Sequence, residues 1–158
     1  MRVIVVTVSD SVSQAKSVDR SGPAVTDRCR ALGWEVVSSE ILPDNRDAIE
    51  ALLAALADSG SADLILTTGG TGIGPRDTTP EATQAVCAKL LPGFGELMRE
   101  KGRQSTPRAV MSRAVVGVRA RALIVNLPGS PKGAVESLDA VADLLPHASD
   151  VLRGARHD

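Results

Sequence analysis

Residues 63–77 read Asp-Leu-Ile-Leu-Thr-Thr-Gly-Gly-Thr-Gly-Ile-Gly-Pro-Arg-Asp, an apolar run that passes directly into a glycine-rich loop. A continuous apolar stretch of this length bounded by turn residues predicts, over Asp63 to Thr68, a strand buried on both faces, with Gly69 to Asp77 leaving its carboxyl end. Upstream, Asn45 to Ala57 places Ile49, Leu52, Leu53 and Leu56 at helical spacing with Asp47 and Glu50 on the other side, which predicts an amphipathic helix. Before it come a strand over Trp34 to Leu42, a helix over Pro23 to Leu32 that Gly33 stops, and a β-branched strand over Arg2 to Val8. Downstream, Pro80 to Leu91 reads as a helix with Thr79 as N-cap and Pro80 in the first position, followed by a short helix over Gly93 to Gly102. Ala114 to Val118 and Ala122 to Leu127 read as two strands joined by a tight turn, and a final helix buries Val135, Leu138, Val141, Ala142 and Leu145. Strands alternating with helices are the signature of βαβ units, so the fold class is α/β with a mostly parallel sheet covered on both faces. The tight turn adds an antiparallel pair, which makes the sheet mixed.

The 158 residues (16.4 kDa) fit one domain spanning 1–158, with room for a core that needs no staples. That core is aliphatic: the chain holds 21 Ala, 18 Val, 16 Leu and 6 Ile, against Trp34 and Phe94 as its aromatics. Base-stacking platforms therefore lack material, and a net charge of −1 supplies no basic field, so nucleic acid is not expected as a partner. The Val3 to Val8 run after Met1 and Arg2 is too short for a signal-peptide core or a membrane span, so a cytoplasmic enzyme or binding domain without membrane attachment is expected. Cys29 and Cys87 form no CxxC motif and read as buried, reduced thiols. His147 and His157 both lie near the C-terminus, which argues against a zinc site or a histidine-based triad.

In open α/β sheets ligands bind beyond the carboxyl ends of the strands. The loops expected there are Ser9-Asp10-Ser11, Pro43-Asp44-Asn45, Gly69 to Asp77, and Pro128-Gly129-Ser130-Pro131-Lys132. Glycines admit backbone N–H groups to phosphate oxygens, helix N-termini favour anions, and carboxylates hold Mg²⁺ against a polyphosphate, so the set suits phosphate chemistry. The glycine loop is neither a Walker loop, since Pro75 and Arg76 stand where Lys and Ser or Thr are required, nor a dinucleotide fingerprint. Asp44 and Asp77 serve equally well as turn and cap residues; their convergence with the glycine loop on one rim is what favours function. With Ser130 as N-cap, Lys132 falls in a first helical turn, where a cation is disfavoured by up to about 1 kcal/mol unless an anion binds there. It reads either as a ligand contact or as a solvated lysine. Residues 99–121 carry seven bases and one acid, and residues 40–63 six acids and one base. These are either two solvated faces that attract each other, or Arg99, Arg103, Arg108 and Arg113 gather a phosphorylated ligand.

The stretch Leu66 to Gly72, then Gly74-Pro75-Arg76-Asp77 and Thr79-Pro80-Glu81-Ala82-Thr83, resembles the MogA/MoaB family of molybdenum-cofactor biosynthesis and the related G domain of gephyrin. Val8-Ser9-Asp10, Pro43-Asp44, Leu91 to Arg99, Ser112-Arg113 and Asn126 to Lys132 match in family order, so the resemblance spans nearly the whole chain. It implies a three-layer αβα sandwich, commonly a homotrimer, that binds molybdopterin. It further implies adenylylation of molybdopterin by ATP and Mg²⁺ with release of pyrophosphate, ahead of molybdenum insertion by a possible partner enzyme. Asp44 and Asp77 match the family's functional aspartates and are the expected catalytic and Mg²⁺-holding residues. Substrate contacts are expected at Ser9, Asp10, Gly69, Gly70, Thr71, Gly72, Ser112, Asn126, Pro128, Gly129, Ser130 and Lys132. The alternative within the family is a MoaB-like molybdopterin-binding or scaffold protein without catalysis; Pro75-Arg76-Asp77 and Pro131-Lys132 look MogA-like and tilt the expectation toward an enzyme.

Overall fold

The computed structural model describes residues 1–155; His157 lies outside the described residues. In chain order the elements are β1 (Arg2–Val8), α1 (Asp10–Ser13), α2 (Ser21–Ala31), β2 (Glu35–Leu42), α3 (Arg46–Asp58), β3 (Leu64–Thr68), α4 (Thr79–Val86) and β4 (Lys89–Leu90). Then follow α5 (Pro92–Arg103), a 3-10 helix (Pro107–Met111), β5 (Val116–Arg119), β6 (Ala122–Leu127), α6 (Pro131–Val141) and α7 (Leu145–Leu152). The strands form one sheet in the order β2-β1-β3-β6-β5-β4. β2, β1, β3 and β6 are mutually parallel; β5 pairs antiparallel with β6, and β4 pairs antiparallel with β5.

Because strand side chains alternate between faces, β1, β3 and β6 each feed two cores. Val3, Val5, Leu64, Leu66, Leu123 and Val125 pack on one face with Val25 and Cys29 of α2, Met98 of α5, Leu138 of α6 and Leu145 of α7. Ile4, Val6, Ile65 and Ile124 pack on the other with Ile49 and Leu53 of α3 and Ala82 and Val86 of α4. The result is the three-layer αβα sandwich with a mixed, mostly parallel sheet. The chain runs from β1 outward to β2, then returns across β1 to β3, so the strand order reverses between β1 and β3. Ligand crevices form at such a reversal, beyond the carboxyl ends of the strands.

Three local expectations are corrected. The helix expected over 80–91 stops at Val86, and Lys89–Leu90 pairs with β5, flanked by Ala88 N–H to Val118 O (2.8 Å) and Leu91 N–H to Val116 O (2.7 Å). Pro92 disfavours helical backbone at Leu91, and the open edge of β5 supplies the hydrogen bonds that a continued helix would have. The final helix is two, α6 and α7, with Pro146 in the first turn of α7. A short helix, α1, occupies the Ser9-Asp10-Ser11 stretch read as a loop, and a 3-10 helix occupies residues 107–111, for which no element is expected from the sequence. Cys29 is buried and Cys87 half-buried; neither is in a disulfide, and burial pushes both thiols up to about 11.

At the amino ends of the strands, the buried Asp63 accepts from the Arg2 backbone N–H and guanidinium (both 2.8 Å) and pairs with Arg153. Burial alone would raise the Asp63 carboxyl; the hydrogen bonds from Arg2 and Arg153 outweigh it and hold it down at about 2. A depressed folded-state value adds stability above the unfolded value near 4 that is lost as pH falls through about 2. Asp63→Asn is therefore expected to lower stability on the order of 2 kcal/mol at pH 7. In urea titrations the gap to wild type should close as the pH is lowered from about 4 toward 2.

Candidate functional site

The loop after β3 is built around a close approach of two backbones. Gly69 has φ +105°, and a Cβ there would stand 2.2 Å from the Val8 carbonyl oxygen at the end of β1. Gly70 has φ +67°, and a Cβ there would meet Thr79 Oγ1 at 2.3 Å and Asp44 Oδ1 at 3.1 Å. Two left-handed residues in succession and two such contacts leave glycine as the residue that fits. Gly69 N–H donates to Leu127 O (3.1 Å), so the loop departs while still attached to β6. Thr79 is buried in the first turn of α4, one residue after the N-cap Thr78, which corrects its expected capping role. Its hydroxyl donates to Gly69 O (3.0 Å) and its N–H to Gly70 O (3.1 Å). The loop closes on itself where Gly74 N–H donates to Asp77 Oδ2 (2.8 Å) and Asp77 N–H to Gly74 O (3.1 Å). The N–H groups of Gly70, Thr71, Gly72 and Ile73 have no hydrogen-bond partner among the described residues. A run of donors free of protein acceptors suits an anion, and Gly70, Thr71 and Gly72 line the larger of two neighbouring cavities.

Three carboxylates gather beside that run. Asp10 N–H donates to Asp44 Oδ2 (2.9 Å) and Asp44 N–H to Asp10 Oδ1 (3.0 Å), a reciprocal pair that ties the β1 and β2 loops together. Arg76 reaches across from the glycine loop and donates to Asp10 through Nε (3.0 Å) and Nη2 (3.1 Å). That hydrogen bond lowers the Asp10 carboxyl. Burial raises the Asp44 carboxyl, and the charges of Asp10 and Asp77 add to the rise. Asp44 Oδ1 and Asp77 Oδ1 accept no hydrogen bond from the described residues. Among the described residues no group of three or more His, Cys, Asp and Glu is placed to hold a metal by itself. Mg²⁺, however, binds through one or two carboxylates plus substrate phosphates, and Asp44 and Asp77 beside these N–H groups fit that donor set.

Two cavities flank the loop. The larger, about 550 Å³, lies between the loop, α5, the 3-10 helix and the start of α6, and takes in Thr71, Gly72, Arg99, Arg108, Ser112, Pro128 and Ser130. The smaller, about 400 Å³, lies over the ends of β1 and β3 and takes in Ser9, Asp19, Asp44 and Gly69. Gly70, Asp77 and Gly129 line both, so the cavities meet at these residues.

Of the other expected site residues, Ser130 caps α6 by accepting from Gly133 N–H (3.1 Å). Asn126 is fully buried below the rim: its side-chain N–H groups donate to Thr67 Oγ1 (3.0 Å) and Thr83 Oγ1 (2.9 Å), and its oxygen accepts from Val115 N–H (3.2 Å). Lys132 lines neither cavity; its side chain is 83% exposed, with Nζ 3.8 Å from Glu136. Arg99 borders the larger cavity while donating to the carbonyls of Ser112 (3.4 Å) and Ala114 (3.2 Å). Arg108 also borders that cavity, whereas Arg103 and Arg113 line neither. The acidic and basic stretches do attract each other at one point, where Arg119 forks onto Asp58 (2.9 and 2.8 Å).

Sequence reasoning missed Asp19 in the smaller cavity, where it accepts from Thr7 Oγ1 (2.7 Å) and Gly22 N–H (3.0 Å). Following the β1 loop from Ser9 all the way to α2 would have found it. Placing alanine at Gly69 combines an unfavourable φ with a collision against backbone, so Gly69→Ala is expected to lose about 2 kcal/mol or more of stability in urea titrations.

The family described as "Probable molybdopterin binding domain" matches residues 4–147. The molybdopterin adenylyltransferase of Helicobacter pylori is 42% identical, over 95% of this chain and 86% of that protein. The molybdopterin adenylyltransferase of Escherichia coli K12 is 40% identical, over 90% of this chain and 74% of that protein. The crystal structure of the molybdopterin biosynthesis enzyme MoaB from Thermus thermophilus superposes with a TM-score of 0.91 at 46% identity, covering 99% of each chain. With the glycine loop, paired aspartates and sheet order in place over its whole matched length, the chain belongs to the molybdopterin-binding MogA/MoaB family of molybdenum-cofactor biosynthesis.

Proposed function

We propose that this protein is a molybdopterin adenylyltransferase: it joins the terminal phosphate of molybdopterin to the α-phosphate of Mg²⁺-ATP and releases pyrophosphate. A phosphate oxygen of molybdopterin forms a bond to the α-phosphorus while the bond to the β-bridging oxygen breaks, and that electron pair leaves with pyrophosphate. The observation that carries this reading is the pair of cavities that meet at Gly70, Asp77 and Gly129. A reaction between two bulky phosphorylated molecules needs two binding basins and one shared point, and here that point adjoins the run of unpaired N–H groups and two carboxylates.

The nucleophile is already an anionic phosphate, so no strong general base is required; in-line placement and charge neutralisation carry the rate. Asp44 and Asp77 would hold Mg²⁺, which supplies Lewis-acid neutralisation of the triphosphate. The N–H groups of Gly70 to Ile73 cradle phosphate oxygens, and Ser9, Thr71, Ser112, Pro128, Gly129 and Ser130 line the basins on either side. Asp10 acts one step removed, through its reciprocal bonds to Asp44. The same reading extends to a homotrimer in the cytoplasm that delivers its product to a molybdenum-inserting enzyme. No helix among the described residues is long and apolar enough to cross a membrane.

A non-catalytic binding or scaffold role has one observation in its favour, the family description, which names molybdopterin binding and no reaction. Pyrophosphate release separates the two readings. The purified protein is expected to release pyrophosphate from Mg²⁺-ATP when molybdopterin is present, and Asp77→Asn is expected to abolish release while still binding molybdopterin. Tight molybdopterin binding by wild type without any release would establish the scaffold role, and full turnover by Asp77→Asn would remove Asp77 from the mechanism.

A further inference from the structure

Arg113 stands behind the glycine loop and lines neither cavity, yet four of its donors hold that loop and its base. Its backbone N–H donates to Thr71 O (2.9 Å), Nε to Gly72 O (2.7 Å) and Nη2 to Asp77 O (2.9 Å). The remaining arm pairs with Glu81 Oε1 in the first turn of α4. In a planar trans peptide the N–H points opposite to the C=O of the same unit. Drawing the carbonyls of Thr71, Gly72 and Asp77 toward Arg113 therefore turns the N–H groups of Gly72, Ile73 and Thr78 away from it. Gly72 and Ile73 are two of the four loop donors without a partner among the described residues. The same bond at Asp77 O fixes the main chain from which the Asp77 carboxylate is carried into the seam between the cavities.

We infer that Arg113 is a positioning residue for phosphoryl transfer: its fork, through Gly72 O and Asp77 O, sets the direction of the Ile73 and Thr78 N–H groups and the placement of Asp77, while its backbone N–H does the same for Gly72, without touching either substrate. This rests on the adenylyltransferase reading for its catalytic consequence and on loop geometry alone for its structural one. A guanidinium is required, because three carbonyl and carboxylate acceptors lie around one planar group. A lysine in the same place keeps the positive charge but holds a single point. Charge and geometry are thereby separable: an arginine that merely attracted anions would tolerate lysine.

The test is Arg113→Lys in the full chain, read three ways. Backbone ¹⁵N order parameters of Ile73, Asp77 and Thr78, whose main chain the lost fork holds, are expected to fall from about 0.85 to below about 0.6, with Gly72 less affected because the Arg113 backbone N–H still holds Thr71 O, and with the sheet unchanged. Molybdopterin-dependent pyrophosphate release is expected to lose about 100-fold in kcat with KM for ATP within about threefold, since the groups acting on the transition state are misplaced while the basins remain. The thermal unfolding curve is expected to show the variant fully folded at the assay temperature. Unchanged order parameters would overturn the inference. So would a raised KM at constant kcat, which marks a charge-gathering role, or a loss of activity that only tracks the unfolded fraction, which marks a purely structural one. Should wild type itself show no turnover, the adenylyltransferase reading fails, and the order parameters alone decide whether Arg113 sets the loop.

Discussion

The structure hangs on the close approach of Gly69 to the last peptide of β1, where 2.2 Å separates the Val8 carbonyl oxygen from the place a Cβ would occupy. With no Cβ at that position, the chain leaving β3 can turn sharply across the end of the neighbouring strand. The turn falls where the strand order reverses, so a fold-level crevice and the loop's unpaired N–H groups coincide. Thr79, Arg113 and Leu127 then hold the turn from three directions, through bonds to loop carbonyls and to the Gly69 N–H. With its carbonyls occupied, the loop presents unpaired N–H groups, and an anion is the ligand that such an arrangement favours.

Carboxylates gathered at one partly buried rim are unfavourable until a cation joins them. Burial first, and then the neighbouring charges of Asp10 and Asp77, raise the Asp44 carboxyl. Arg76 relieves part of the repulsion through Asp10, which it pulls in the other direction. On the adenylyltransferase reading, a nucleotide arriving with a divalent cation would complete the balance, bringing negative charge to the N–H groups and positive charge to the acids. Two carboxylates are enough for an ion that arrives on its substrate, because the phosphates and water supply its other oxygens.

Much of this is legible in the sequence because it depends on residue types at fixed spacing. The 3.6 period of Ile49, Leu52, Leu53 and Leu56 marks α3, and the apolar run before Gly69 marks β3. The rule that ligands sit beyond parallel strand ends then brings Asp44, Asp77 and Gly129 to one rim. What escapes depends on partners distant in the chain. The period of Thr83, Val86, Cys87 and Leu90 continues helically past the real end of α4, and it yields to the pairing of Lys89–Leu90 with β5, which Pro92 favours by disfavouring helical backbone at Leu91. Pro146 does signal the break between α6 and α7, but the apolar period runs through it. The side-chain bonds of Asn126 below the rim and the choice between ligand-gathering and a solvated face for Arg113 are likewise not legible, because polar side chains near a rim look alike in sequence. Side-chain bonds to main-chain carbonyls, which occupy Arg113, leave no pattern that a sequence displays.

Whether two substrates meet over Gly70, Asp77 and Gly129 is decided by a crystal structure with molybdopterin and α,β-methylene-ATP bound together. The pterin is expected in one cavity and the nucleoside in the other, with the α-phosphorus over the N–H groups of Gly70 to Ile73 and beside Asp44 and Asp77. Both molecules competing for one cavity, or an α-phosphorus remote from Asp77, would contradict the two-basin mechanism.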